Sequence, residues 1–312
     1  SQTGPFMDEE DFLPKHFTPT LKKLIKKYEI AYDPENPCPT DDDMADRVWQ
    51  AAWDLFREVG YYNTDSHRLI QVTDQEIREA LYMAHDKYWV GGGKDAVLWK
   101  HRDVEDREPP FCIMSPDITC DEQYHQSICM AYLKEPLLDG ICGPILEETF
   151  GHLIESSGPT EISGCIQHIY NQKMAARLLG RPGTFMVAVG TAEHDSGQIA
   201  VSNDEWGVQK TDARLVGSLT EFKTADTLLN RSLHYAQYGC YTGNLTGAIY
   251  GGWCGGSEGT AVTTVAYSLI GLVIHGANFN QHLPFHLNYA SNTTRQLLWA
   301  IAMAGQALAR IS

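Results

Sequence analysis

Positive charge is scarce in this chain: 24 Lys and Arg stand against 40 Asp and Glu, a net charge of −16. A nucleic-acid surface needs a basic stripe, and an anionic membrane attracts the same residues, so neither is expected as a partner. The acidity serves solubility. Paired cysteines are also missing. The eight, at 38, 112, 120, 129, 142, 165, 240 and 254, never stand as CxxC or CxC. That argues against a thiolate–zinc site, and scattered thiols in a chain of this length fit a reduced, cytoplasmic core. No unbroken apolar run reaches the roughly 18 residues of a membrane span. The longest window, 262–274, is interrupted by Thr, Ser and Gly. The first eleven residues are polar and acidic, without a signal-peptide pattern. The glycines at 251–256 lack the Lys and Ser/Thr of a phosphate-cradling loop, so no nucleotide site is read there.

What is present is enough for one large domain or two modest ones: 312 residues, 43% of them hydrophobic. Residues 1–40 are polar and broken by six prolines, with one basic helix expected over 20–28. A helix is expected from Thr40, which can cap it, through Val59, with Gly60 ending it; Asp41, Asp42 and Asp43 suit its positive end. A second follows over 73–88, where Thr73 and Glu76 form a capping-box pattern. Strand-like pieces at 96–99 and 111–114 sit among prolines. From about 136, apolar strands alternate with helices. Strands are expected at 137–146, 185–189, 213–219, 246–250 and 284–289, and helices at 160–179, 222–238, 257–270 and 292–309. Such alternation predicts a parallel sheet with helical crossovers. Glycines and polar residues gather after the strands, at 190–197, 251–256 and 291–295, where such folds carry chemistry. Five strand–helix units fit an open sheet or part of a barrel.

Five landmarks run from end to end: TDSHR at 64–68, GKDAV at 93–97, GRPG at 180–183, GGWCGGSEGT at 251–260 and SNTTR at 291–295. With them the chain resembles the monomethylamine methyltransferase family of methanogens, over nearly all of residues 8–311. The resemblance favours a TIM (β/α)8-type barrel, incomplete at the C-terminus with about five of eight units in 136–312, behind a mainly helical extension at 1–135. It implies transfer of a methyl group from an amine to the Co(I) corrinoid (cobalamin) of a partner corrinoid protein. It also implies a homo-oligomer, with no corrinoid held permanently, since no DxHxxG pattern is present. The family's pyrrolysine lies on a strand after GRPG. Here that strand reads TFMVAVG over 184–190, and the matching position is Val189, which carries no electrophile. The family's two following glutamates match Leu215 and the vicinity of Leu245, or Glu221 for the first if the match is gapped.

Losing the imine together with its acidic partners points to a changed substrate. A quaternary ammonium compound bears fixed charge and needs no imine, and such ligands favour aromatic faces. Tyr241, Tyr250, Trp253 and Tyr289 are expected near strand ends. Glu193, His194 and Asp195 form the densest ionisable group on the rim and are candidate acids or bases, alongside Glu221. Glu258 reads as a helix-start residue. His286 matches a family histidine and reads as pocket-lining, and Asn288 replaces a family arginine. His282 and His286 would lie about 13 Å apart along a strand, which argues against a two-histidine metal site. Three readings follow. One is a cytoplasmic corrinoid-dependent methyltransferase lacking pyrrolysine. A second is a barrel that binds a small methylated amine without transferring its methyl group. The third is a pyrrolysine protein whose recorded sequence stops early.

Overall fold

The computed structural model describes residues 1–103, 105–116, 118–187, 189–192, 194–282, 285–286 and 294–309, with backbone only at 281, 282, 285 and 286. Six short strands run parallel: β1 (Ile113–Met114), β2 (Gly140–Ile141), β3 (Phe185–Met186), β4 (Ala213–Gly217), β5 (Tyr241–Thr246) and β6 (Phe279–His282). Each pairs with the next in chain order, and a single bridge, Val187 to Ala213, carries the array from β3 to β4. Parallel neighbours need crossovers, and each of the five connections contains a helix. These are α4 (Glu122–Leu133) between β1 and β2, α5 (Pro159–Leu178) between β2 and β3, α6 (Asp195–Ala200) between β3 and β4, α7 (Asp226–Tyr238) between β4 and β5, and α8 (Ser257–His275) between β5 and β6. The fold is α/β, as expected.

Several expected bounds shift. The run 137–146 breaks in two at Gly143-Pro144, giving β2 and a separate piece, Ile145–Leu146, that pairs with Thr119–Cys120. The strand expected at 246–250 divides into β5, which ends at Thr246, and Ile249–Tyr250, which pairs with Phe285–His286. β6 was not expected. The remainder of the strand expected at 284–289 lies outside the described residues. Lys223–Thr224 are not helical but pair in parallel with Tyr62–Asn63.

The amino-terminal helices are α1 (Thr18–Lys27), α2 (Asp42–Val59) and α3 (Asp74–Met83). Asp41, not Thr40, caps α2: its carboxylate accepts from Met44 N–H at 3.0 Å. The Thr73–Glu76 capping box is present in both directions, and α3 ends at Met83 because Lys87–Val90 turns into a hairpin strand against Val97–Lys100. The largest core joins the two ends of the chain. Phe12, Phe17, Leu21, Val48 and Phe56 pack with Val262, Ala266 and Tyr267 of α8 and with Trp299 and Met303 of α9 (Thr294–Ala309). Among the described residues one helix, Ser257–His275, is long and apolar enough to cross a membrane although its apolar run is interrupted. Its apolar stretch is 78% buried within the protein, so it acts as the central core helix.

At the end of α8, His275 is 2% exposed, with Nδ1 at 2.7 Å from Ser232 Oγ and Nε2 at 3.4 Å from Tyr61 Oη. Burial lowers its pKa from 6.5 to about 4. Burial lowers His125 to about 4 as well. An unfolded histidine protonates near 6.5, before the folded one does. The stability from keeping these rings neutral is therefore complete above pH 6.5 and is lost as pH falls towards 4, by up to about 3 kcal/mol per ring. Urea unfolding should show a lower midpoint at pH 5 than at pH 7, and His275→Asn should flatten that dependence.

Candidate active site at the carboxyl ends of the strands

The register gives the array two faces. Leu215 pairs with Gly243 and Gly243 with Phe279; one step on, Gly217 pairs with Leu245 and Leu245 with Gln281. Alternation puts Ala213, Leu215, Gly217 on one face with Tyr241, Gly243, Leu245 and Phe279. The opposite face meets the helices: Val216 packs on Leu228 and Tyr235, and Asn244 Nδ2 donates to Tyr267 O at 2.9 Å. On the first face the amino ends are plugged. The hairpin 87–90/97–100 brings Tyr88 and Trp99 against Phe185, Ala213, Tyr241 and Phe279. Tyr241 Oη donates to Trp89 O at 2.9 Å, and Tyr88 Oη to Asn278 O at 3.0 Å. The carboxyl ends are more open. Leu215, Gly217 and Leu245 are all partly exposed, and a methyl group added at Gly217 would meet nothing within 4 Å.

Three loops border that open end. After β3, Val189 is fully buried among Cys129, Cys165, Ile169 and Val201, so its side chain faces the helical layer. The loop then delivers His194, whose Nδ1 stands 2.5 Å from Asp195 Oδ1, with side chains 42% and 14% exposed. Asn230 Nδ2 donates to Asp195 Oδ2 at 2.8 Å, and Asp195 N–H to Thr227 Oγ1 at 3.0 Å. His194 Nδ1 is buried and makes no hydrogen bond despite its proximity to Asp195; a partly exposed imidazole beside an anchored carboxylate is still a group that can move a proton.

After β4 the backbone enters the left-handed region at two successive non-glycine residues, Glu221 (φ 68) and Phe222 (φ 64). Side chains disfavour this, and such strain persists only where the surroundings impose it. Here Tyr267 Oη accepts from Phe222 N–H at 2.7 Å and donates to Leu219 O at 3.1 Å. The strain turns the Glu221 carboxylate under the loop that follows β5, where Oε1 accepts from Trp253 N–H at 3.2 Å. Glu221 is 8% exposed, and burial raises its pKa above the ordinary carboxylate range; the Trp253 N–H and Lys223 oppose this. Trp253 is 45% exposed. It lines a cavity of about 730 Å³ with Phe6, Leu13, His67, Lys223 and acidic residues of the 8–11 turn.

The structure thus brings together Glu221 with Trp253, His194 with Asp195, and Leu215 with Leu245. It separates Tyr241 from them. Tyr241 opens β5 rather than ending it, so it sits at the plugged end, a correction to the expected place near the rim. Tyr250 is partly buried, with Oη 2.5 Å from Gln296 Oε1. Glu258 lies in the first turn of α8 and accepts from Tyr32 N–H at 2.9 Å. Arg295 is exposed in the first turn of α9. Glu193, Asn288, Tyr289 and Asn292 lie outside the described residues, and His282 and His286 are described by backbone alone. Among the described residues, no group of three His, Cys, Asp or Glu side chains is placed to hold a metal ion.

Most landmarks are junctions. GKDAV docks on GRPG: Asp95 Oδ2 accepts from Gly183 N–H at 3.0 Å, and Gly92 N–H donates to Gly183 O at 2.8 Å. A Cβ on Gly183 would stand 1.9 Å from Gly92 O, so only glycine fits. Arg181 donates to the carbonyls of Leu133, Glu135 and Leu138. In TDSHR, Asp65 Oδ2 accepts from Asp226 N–H at 2.6 Å.

The comparisons agree with this architecture. A family model described as monomethylamine methyltransferase MtmB matches residues 1–312, and the chain belongs to that family. It is 30% identical over 292 residues to monomethylamine methyltransferase MtmB2 of Methanosarcina acetivorans, covering 93% of this chain and 62% of the relative. It is 29% identical over 292 residues to MtmB of Methanosarcina mazei, with the same coverage. The chain therefore spans about 62% of the length of these relatives. In fold, it superposes on the crystal structure of the Methanosarcina barkeri monomethylamine methyltransferase with a TM-score of 0.94 at 24% identity, over 99% of this chain and 67% of that one. A hydroxylamine complex of MtmB superposes equally well.

Proposed function

We propose that this chain takes part in methyl transfer from a methylated amine to the Co(I) corrinoid carried by a partner protein. Membership of the MtmB family over all 312 residues is the observation that carries the reading. In this reading the six sequential parallel strands belong to a (β/α)8-type barrel. The boundary expected at 135/136 moves back, because β1 and α4 already belong to the strand–helix series; the mainly helical extension precedes β1, and the protein is a cytoplasmic homo-oligomer. The corrinoid enters as a co-substrate at the open carboxyl end, supplying the nucleophile that accepts the methyl group.

This chain's own residues bind and orient the amine. Amine nitrogen leaves only if it carries positive charge. Val189 supplies no imine at the position matched to pyrrolysine and, facing the helical layer, does not contact the substrate as expected; without an imine, the charge has to be on the substrate already. The exposed face of Trp253 suits a quaternary ammonium group, worth about 0.5–2 kcal/mol. Glu221 faces the same loop; its raised pKa lets it keep a proton to higher pH than an exposed glutamate, and its ionised form balances a cation. His194, with Asp195 beside it, and the neighbouring Glu193 are the remaining groups for proton movement. Leu215 and Leu245 give the open face its apolar lining.

The test is methylation of cob(I)alamin, followed by its absorbance, with mono-, di- and trimethylamine and tetramethylammonium as donors. Transfer from the quaternary donor at least tenfold faster than from monomethylamine is expected. Transfer from monomethylamine alone would overturn the substrate assignment. Saturable donor binding with no methylation would favour the binding-barrel reading instead.

A further inference from the structure

Helix α5 carries its polar residues on the inside. Glu161 and His168 are both 0% exposed, while Ile162, Ile166 and Tyr170 of the same helix are 37%, 37% and 53% exposed. Burying a carboxylate and an imidazole is costly unless each is hydrogen-bonded, so their partners show what they are for. Glu161 Oε1 accepts from His194 N–H at 2.7 Å, and Oε2 accepts from Ser157 N–H at 2.5 Å. His168 Nδ1 lies 2.8 Å from Thr191 Oγ1, which also accepts from Leu146 N–H at 3.1 Å. Burial holds the His168 pKa well below 6.5, so the ring stays neutral and the contact is present across the physiological range.

Glu161, Gly164 and His168 recur at i, i+3 and i+7, one face of a helix. Gly164 keeps that face close to the loop: a Cβ there would lie 2.5 Å from Ile154 Cδ1 and 3.2 Å from Thr191 Cγ2. Gly197 does the same from α6, where a Cβ would lie 2.7 Å from Cys165 Sγ. Two buried groups two turns apart thus grip the loop after β3 at Thr191 and at His194.

We propose that Glu161 and His168 are positioning residues that fix this loop, and with it the His194–Asp195 pair, in its working geometry. The inference rests on the reading of this rim as the active site. A loop displaced by about 1 Å costs on the order of 10²-fold in rate without requiring weaker substrate binding. In Glu161→Gln the amide cannot accept both N–H groups. Thr191→Val removes the hydroxyl at constant volume, and His168→Phe removes the ring nitrogen while keeping the ring.

Two measurements test the proposal on the full chain: hydrogen exchange in the peptide covering 189–200, and kcat and KM for methyl transfer. Exchange at least tenfold faster in that peptide is expected in all three variants, with kcat reduced about 10²-fold at unchanged KM, and Thr191→Ser should restore both. Unchanged exchange would overturn the proposed grip, whatever the activity. Faster exchange with kcat and KM as in the wild type would overturn its link to catalysis. A wild-type protein that transfers no methyl group would refute the functional reading separately, and exchange would still judge the grip.

Discussion

Replacing Asp212 with alanine should destabilise the protein by about 3–5 kcal/mol. Asp212 is 1% exposed at the threshold of β4, and Lys173 of α5, 8% exposed, places Nζ 2.8 Å from its Oδ2. The carboxylate has two further tasks. Oδ1 accepts from Met186 N–H of β3 at 3.0 Å, and Oδ2 accepts from Gln209 N–H at 2.9 Å. Asp212 therefore fastens β3, α5 and the approach to β4 at one point. Its removal would leave an ammonium and two N–H groups buried without their acceptor. Lys173→Met should cost less, because the remaining carboxylate keeps both backbone donors. Denaturant unfolding of the two variants checks the order, and equal losses would mean that the ion pair alone matters.

Glu221→Gln should lower kcat for methyl transfer by about 10²–10⁴-fold, the usual contribution of a positioned acid or base. Glutamine keeps an oxygen that can accept from Trp253 N–H, so the strained turn and the loop above it should survive. What it loses is the charge and the titratable proton. If Glu221 served only to pin the glycine loop, the substitution would be nearly silent, and Glu221→Ala would be the damaging change. A pH profile adds a second check. Burial raises the Glu221 pKa, so if the ionised form is needed, activity should fall as pH drops through a value above the ordinary carboxylate range. Thermal melting of the glutamine variant separates this from unfolding.

Local signals in the sequence were legible to the extent that the chain acts locally. The Thr73–Glu76 box forms because its two partners are three residues apart. Helix α2 ends at Gly60, where φ is 74, as the glycine foretold. Parallel pairing was read from alternating apolar strands and helices. β6 escaped because FNQH has no strand-like apolar pattern; its place is set by pairing with β5. The strand at Tyr61–Asn63 escaped because it is only three residues long; it pairs locally with Arg68–Ile70 and, across the fold, with Lys223–Thr224.

The candidate site divides along the same line. His194 and Asp195 stood out as a dense ionisable group, and Glu221 through the family match. Glu161 and His168 gave no signal, because polar residues on a helix read as a solvent face; only packing showed α5 to be turned the other way. Tyr241 was placed near the rim because strand direction and strand bounds were read together, and the bounds were wrong.

By itself the sequence determined the family, the α/β class, the Thr73–Glu76 capping box and the stop at Gly60, all of which depend on residue identity and near-neighbour spacing. Tertiary structure decided which strand ends are plugged, which face of α5 is buried, and which carboxylate turns under the Trp253 loop. Each of these depends on contacts between segments distant along the chain. Their free energy comes from burial and from hydrogen bonds that exist only once those segments meet.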